Sequence, residues 1–161
     1  MHVLRSLLTK MADHRVLIDW TLVILWMCFI FFLSNQSTLP GPYEPFWNVV
    51  FKKSAHMFVY AVLTILYTRA YRHLRTIAFP FIILGAILSS LLFASLDEYH
   101  QSFIPGRTAT VRDLGFDAIG TFGATYILIK KKKTILKNVT HNELRVCQKV
   151  HSSFIVHEDK N

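Results

Sequence analysis

Apolar residues are gathered into four long runs, with polar residues falling between the runs more than along them. Val16–Leu33 contains one charge, Asp19, and Ile77–Leu96 contains none. Ser54–Tyr71 carries His56 and Tyr60 near its start and Arg69 near its end. Leu114–Ile129 is interrupted only by Asp117. Runs this long and this apolar predict helices that cross a bilayer, for which about 20 residues are needed. The fourth run would rise only about 24 Å as a helix, so it is extended back to Asp113. The spans are expected near 16–33, 54–71, 77–96 and 113–129. Residues 34–53 hold Pro40, Pro42, Pro45 and Gly41 and read as a loop, with Tyr43, Phe46, Trp47 and Phe51 suited to the membrane interface. The expected fold is an all-α membrane protein, a four-helix transmembrane bundle.

Composition agrees and adds an orientation. The 161 residues suffice for one compact domain, and 52% hydrophobic residues with 13 Phe exceed what a soluble domain of this size carries. Lys and Arg number three before the first span, two in the first loop, three in the second, two in the third and eight after residue 129. The positive-inside rule then puts both termini in the cytoplasm. Residues 1–15 read as a basic, amphipathic or frayed N-terminus, and 131–161 as a basic cytoplasmic tail, with Lys130–Lys133 ending the fourth helix. Asp19 is expected to snorkel to the interface or to pair with Arg15 one turn earlier. Gly85 with Ser89, and Gly120 with Ala124, are small-residue pairs that allow close helix packing.

Several classes are set aside. Cys28 and Cys147 fall on opposite sides of the apolar boundary, so no disulfide is expected. No zinc-type cluster and no glycine-rich phosphate loop occurs. The net charge of +8 raises nucleic acid as a partner, but no recognition motif accompanies the lysines.

The chemistry is concentrated between the third and fourth spans. Asp97–Asp117 (DEYHQSFIPGRTATVRDLGFD) contains four acids, a His, a Gln and two Arg. An ionised group is costly in a bilayer, so these residues should meet one another or an interface. With both termini inside, Ser34-Asn35-Gln36, Lys53, His56, Asp97–Arg107 and Asp113 all come to the outer face. Lys53, His56 and Tyr60 share one helical face at i, i+3, i+7. Asp97 and Gln101 share another if the third helix continues past Leu96, with Glu98 turned away. Asp113 and Asp117 share a third, and Asp117 needs Arg107, Lys53 or His56 as a partner. Three readings of this cluster compete. It is a structural ion-pair network; or it is a site with His56 or His100 as general base, a carboxylate orienting it and Arg107 holding an anionic headgroup such as a phosphate; or Asp97, His100, His56 and Asp113 hold a divalent cation. No ligand pair has a tight zinc spacing, so no metal or cofactor is assigned.

These residues resemble the VanZ-like membrane proteins, a family named for a teicoplanin-resistance accessory protein of Gram-positive bacteria. The matching elements are Ser34-x-Gln36 after the first span, Lys53-x-x-His56 with Tyr60 at the second, the D-E-x-H-Q-x-F-x-P-G-R signature from Asp97 to Arg107, and Asp113, Asp117 and Gly120 beyond it. The resemblance covers roughly residues 17–130. It implies a multi-pass protein of the bacterial plasma membrane associated with reduced glycopeptide susceptibility, and it carries no settled reaction. The functional candidates are His56, Asp97, His100 and Arg107 for chemistry, with Lys53, Tyr60, Glu98, Gln101, Asp113, Asp117 and Gln36 for binding. The expected partners are membrane lipids and an anionic lipid headgroup or cell-wall precursor. The alternative is a non-catalytic interaction or scaffold protein whose polar cluster only holds the fold.

Overall fold

The computed structural model describes residues 2–36, 45–74, 76–105 and 111–158, with side chains placed for 14–36, 46–74, 76–105 and 112–145. Four α-helices follow in order: α1 (His2–Ser34), α2 (Pro45–Tyr71), α3 (Phe79–Gln101) and α4 (Val111–Glu158). There is no strand among the described residues. Met1–Thr125 forms one compact unit and Tyr126–Asn161 a second.

The helices are longer than the apolar runs that predict them. α2 begins at Pro45, nine residues before the expected start, so Phe46, Trp47 and Phe51 belong to a helix and not to a loop. Proline at a first helical position lacks only an N–H that has no intrahelical acceptor there. Pro80 plays the same part in α3, which continues through the acidic signature to Gln101. α1 runs unbroken from His2 into the first span, and Lys130–Lys133 end the apolar stretch of α4 without ending the helix. Lysine is a good helix former, and only its charge is incompatible with hydrocarbon.

Among the described residues three segments are long and apolar enough to cross a membrane: His14–Ser34, Phe46–Tyr71 and Phe79–Gln101. The apolar stretch of α4 is confined between Asp113 and Lys130 and contains Asp117, so the fourth helix does not join this group. Its first turns are nevertheless packed into the bundle. Asp113, Asp117 and Gly120 meet Lys53, His56 and Met57 of α2 in the same order along both helices, so the two run parallel.

α2 is the central helix. Tyr60, Leu63, Tyr67 and Ala70 lie along its buried face with Val23 and Ile30 of α1 and with Ala86 and Ala94 of α3. Much of the contact is polar. Thr64 Oγ donates to Ser90 Oγ at 3.0 Å, and Trp26 Nε1 donates to the Val59 carbonyl at 2.9 Å. Outward-facing positions are apolar, among them Leu17, Leu25, Phe32, Phe58, Leu88 and Leu92. In lipid, burying leucine gains little, and hydrogen bonds and close packing hold helices together. The small pairs serve that packing. The Tyr71 ring lies beside Gly85, where a Cβ would still meet it at ordinary van der Waals distance, and Ser89 shares a 2.7 Å hydrogen bond with Tyr71 Oη.

Among the described residues an ion cluster lies at the end of the bundle away from the acidic signature. Asp19 accepts from Arg69 Nη2 at 2.5 Å and pairs with His73 Nε2 at 2.8 Å, the first from the last turn of α2 and the second from the turn that follows it. The expected local pair with Arg15 gives way to a bond that ties two helices together. Removing the carboxylate in Asp19→Ala leaves both bases without their acid. The expected loss is about 1–2 kcal/mol, below the cost of breaking a buried pair because Arg69 is half exposed. Thermal unfolding in detergent checks this, and an unchanged midpoint would show that the cluster does not join α1 to α2.

Candidate functional site

The polar residues of four helix ends meet at one end of the bundle. From α1 comes Ser34, from α2 Lys53, His56 and Tyr60, from α3 Asp97 and Gln101, and from α4 Asp113 and Asp117. The convergence follows from antiparallel neighbours. α1 and α3 run one way and α2 and α4 the other, so the last turns of α1 and α3 come level with Tyr60 in the middle of α2.

Asp97 is the hub and is 3% exposed. Its Oδ2 accepts from Ser34 Oγ at 2.6 Å, Gln101 Nε2 at 2.9 Å and Tyr60 Oη at 3.4 Å. Gln101 Nε2 also lies 3.0 Å from Ser34 Oγ, which closes a small network across α1 and α3. The i, i+4 spacing of Asp97 and Gln101 puts them together once α3 continues through the signature. The other carboxylate oxygen, Oδ1, is buried and accepts nothing. A buried carboxylate oxygen without a donor costs free energy that the three bonds to its twin do not return.

Beside this hub lies a second acid with a different partner. Asp117, 2% exposed, lies 3.1 Å from His56 Nδ1 through Oδ1. With the carboxylate ionised, Nδ1 carries the hydrogen and donates it, which leaves Nε2 as the basic nitrogen of the ring. The chemistry open to such a pair is proton exchange at Nε2. One turn toward the helix ends, Lys53 pairs with Asp113 and lies over the Phe116 ring, 5.4 Å from its centroid. Lys53, His56 and Tyr60 thus share a face, each directed to a different acid.

Other candidates are placed less centrally. The His100 ring stacks on Phe31 at 4.4 Å between centroids, and its Nε2 is buried without a hydrogen bond. That position is on the α1 side of α3, apart from the His56–Asp117 pair. Gln36 follows the end of α1 half-buried, and of the Ser-x-Gln motif it is Ser34 that bonds Asp97. Glu98 is one position off the Asp97–Gln101 face, as the helical register requires. Arg107 lies outside the described residues. Among the described residues no group of His, Cys, Asp and Glu could hold a metal ion.

Two contributors carry no candidate role in the sequence reading. Ser34 supplies the shortest bond to Asp97, and its signal was the Ser-x-Gln motif itself. Thr121, one turn beyond Asp117, is fully buried with its hydroxyl unpartnered, and a Thr in an apolar run gives no sign of this.

Every one of these helix ends falls inside a single match to the VanZ/LLP1 family model, which spans residues 20–135. The chain belongs to the VanZ/LLP1 family. The matched region takes in Ser34, the Lys53–His56–Tyr60 face, the acidic signature and the packed part of α4, so the polar end of the bundle lies wholly within the VanZ/LLP1 domain. Asp19 and the chain beyond residue 135 lie outside it. No curated protein and no solved structure matches the chain.

Proposed function

We propose that this VanZ-family membrane protein binds, at the polar end of its bundle, the headgroup of an anionic cell-envelope lipid or glycan, with teicoplanin-type glycopeptide resistance as the expected phenotype. The observation that carries the reading is the bare Oδ1 of Asp97, a buried acceptor beside a network whose donors are spent on Oδ2 and on Ser34 Oγ. A headgroup hydroxyl supplies the missing donor. Lys53, held at the rim by Asp113, is the cation that a phosphate or carboxylate of the same headgroup would share. His56, oriented by Asp117, is the residue equipped to move a proton on that ligand. On this reading α4 is a fourth span, both termini are cytoplasmic, and the site opens at the outer leaflet of a bacterial plasma membrane. The alternating Lys and Arg counts favour that orientation.

A second reading has its own support. Lys53 and His56 each have an acid and Asp97 has three donors, as a network that only fixes helix packing would also require. His56→Asn separates the two, because the amide nitrogen stands near the position of Nδ1 and keeps the bond to Asp117 while removing the basic Nε2. In a susceptible Gram-positive host, wild-type protein is expected to raise the inhibitory concentration of teicoplanin more than that of vancomycin, relative to empty vector. His56→Asn at equal membrane abundance should lose most of the protection. Full protection by the variant would favour the packing network, and no protection by the wild type would remove the resistance phenotype.

A further inference from the structure

A threonine inside a helix ordinarily satisfies itself, because rotation about one bond brings its hydroxyl onto the carbonyl four residues back. Thr64 donates in this way to the Tyr60 carbonyl at 2.8 Å, Thr68 to Thr64 at 2.8 Å and Thr125 to Thr121 at 2.9 Å. Thr134 and Thr140, both exposed on α4, do the same at 3.1 Å. Thr121 does not. It is completely buried, yet its Oγ bonds neither the Asp117 carbonyl nor any other described group. A bare buried hydroxyl costs about 1–3 kcal/mol, and here the conformation that would satisfy it is one bond rotation away. Such a group is free for a partner from outside the fold.

Its position indicates which partner. Asp113, Asp117 and Thr121 form one stripe of α4 at i, i+4, i+8. The first meets Lys53 and the second His56, and the same register brings Thr121 level with Tyr60 of α2. Tyr60 turns its hydroxyl to Asp97 of α3 instead. The Asp97 and Asp117 carboxylates both lie close enough to act on that hydroxyl, so α3 and α4 both face it. Asp97 Oδ1 and Thr121 Oγ, both bare, therefore come from two helices that meet around one residue. An anionic oxygen is repelled there by the two carboxylates, whereas a ligand hydroxyl can give its hydrogen to Asp97 and accept one from Thr121. A phosphate belongs at the Lys53 rim, eight residues along α4 from Thr121, a rise of about 12 Å.

We infer that Thr121 is a further ligand-binding residue of this site, donating its hydroxyl to the neutral polyol part of a phosphate-bearing ligand. The inference rests on the headgroup reading above and adds that the ligand carries hydroxyls beside its phosphate. The full chain, delipidated in detergent, is titrated by native mass spectrometry with phosphatidylglycerol against phosphatidic acid, which has the phosphate without the polyol. Glycerol 1-phosphate against inorganic phosphate repeats the comparison without acyl chains. Wild type should prefer the polyol member of a pair. Thr121→Val keeps the shape without the hydroxyl and should lower that preference about fivefold, while Thr121→Ser should keep it. Free of lipid, Thr121→Val should melt no lower than wild type, because the hydroxyl it removes bonds nothing in the fold. A Thr121-dependent preference in the lipid pair alone assigns a lipid headgroup, and one in both pairs assigns a soluble ligand of the same chemistry. No such dependence in either pair would overturn the inference, as would a lower melting point of lipid-free Thr121→Val, which would make the hydroxyl part of the fold. Failure of the headgroup reading itself looks different, since Asp97→Asn would then bind all four probes as wild type does.

Discussion

Gly120→Ala is expected to destabilise the bundle by about 3 kcal/mol, at the upper end for overpacking, and Gly120→Leu to prevent accumulation of folded protein. A Cβ at this position would run into the Met57 carbonyl oxygen and lie 2.8 Å from its carbon and 2.9 Å from Met57 Cα. All three atoms are backbone, so no change of rotamer relieves the clash. α2 and α4 would have to separate, and the Lys53–Asp113 and His56–Asp117 pairs on the preceding turns would separate with them. The other glycines of α4 are the controls. A Cβ on Gly115 or Gly123 meets nothing within 4 Å, so Ala at either should stay within about 0.5 kcal/mol of wild type. The readout is thermal stability in detergent with membrane abundance alongside. Gly120→Ala as stable as Gly123→Ala would show that α4 does not approach α2 this closely.

At Asp97, two substitutions of similar size should have different consequences. Asp97→Asn keeps an oxygen for Ser34, Gln101 and Tyr60 and places an NH2 where the bare Oδ1 stands. The fold should survive with a loss of about 1 kcal/mol, while a ligand hydroxyl that needs an acceptor finds a donor instead. Asp97→Leu removes the acceptor and leaves the buried groups unpaired at about 1–3 kcal/mol each, so folded protein should be largely lost. Native mass spectrometry of the purified protein reads the first effect as loss of co-purified anionic lipid, and a thermal melt reads the second. Undiminished lipid in Asp97→Asn would show that the bare oxygen is not the ligand contact. An Asp97→Leu variant as stable as wild type would show that the network contributes little to the fold.

The candidate site was legible to different depths at different residues. Lys53, His56 and Tyr60 were readable as one face, because helical register is a property of spacing alone. Asp97 with Gln101 was readable once the helix was carried through the signature. Which acid each base meets was not, since those partners lie 60 or more positions apart, as for His56 with Asp117 and Ser34 with Asp97. Asp19 shows the limit in the other direction. Spacing offers Arg15 one turn away, and the folded chain brings Arg69 from the far end of α2 and His73 from the turn after it. The partner of the His100 ring, Phe31, lies equally far away in the sequence and no spacing rule names it.

The sequence by itself determined the helical membrane class, the family and the end of the bundle at which the polar groups gather. Each of these follows from local composition, from a continuous motif or from the alternation of spans. Helix length was read less well, because a hydropathy boundary marks where hydrocarbon ends and not where backbone hydrogen bonding ends. α2 therefore starts at Pro45, and α4 continues through its lysines. Only the tertiary structure decided that Gly120 sets the distance between α2 and α4, that Ser34 completes the Asp97 network and that one oxygen of Asp97 is left bare. These are contacts between residues far apart in sequence, and their energies depend on distances of a few tenths of an ångström that no spacing rule contains.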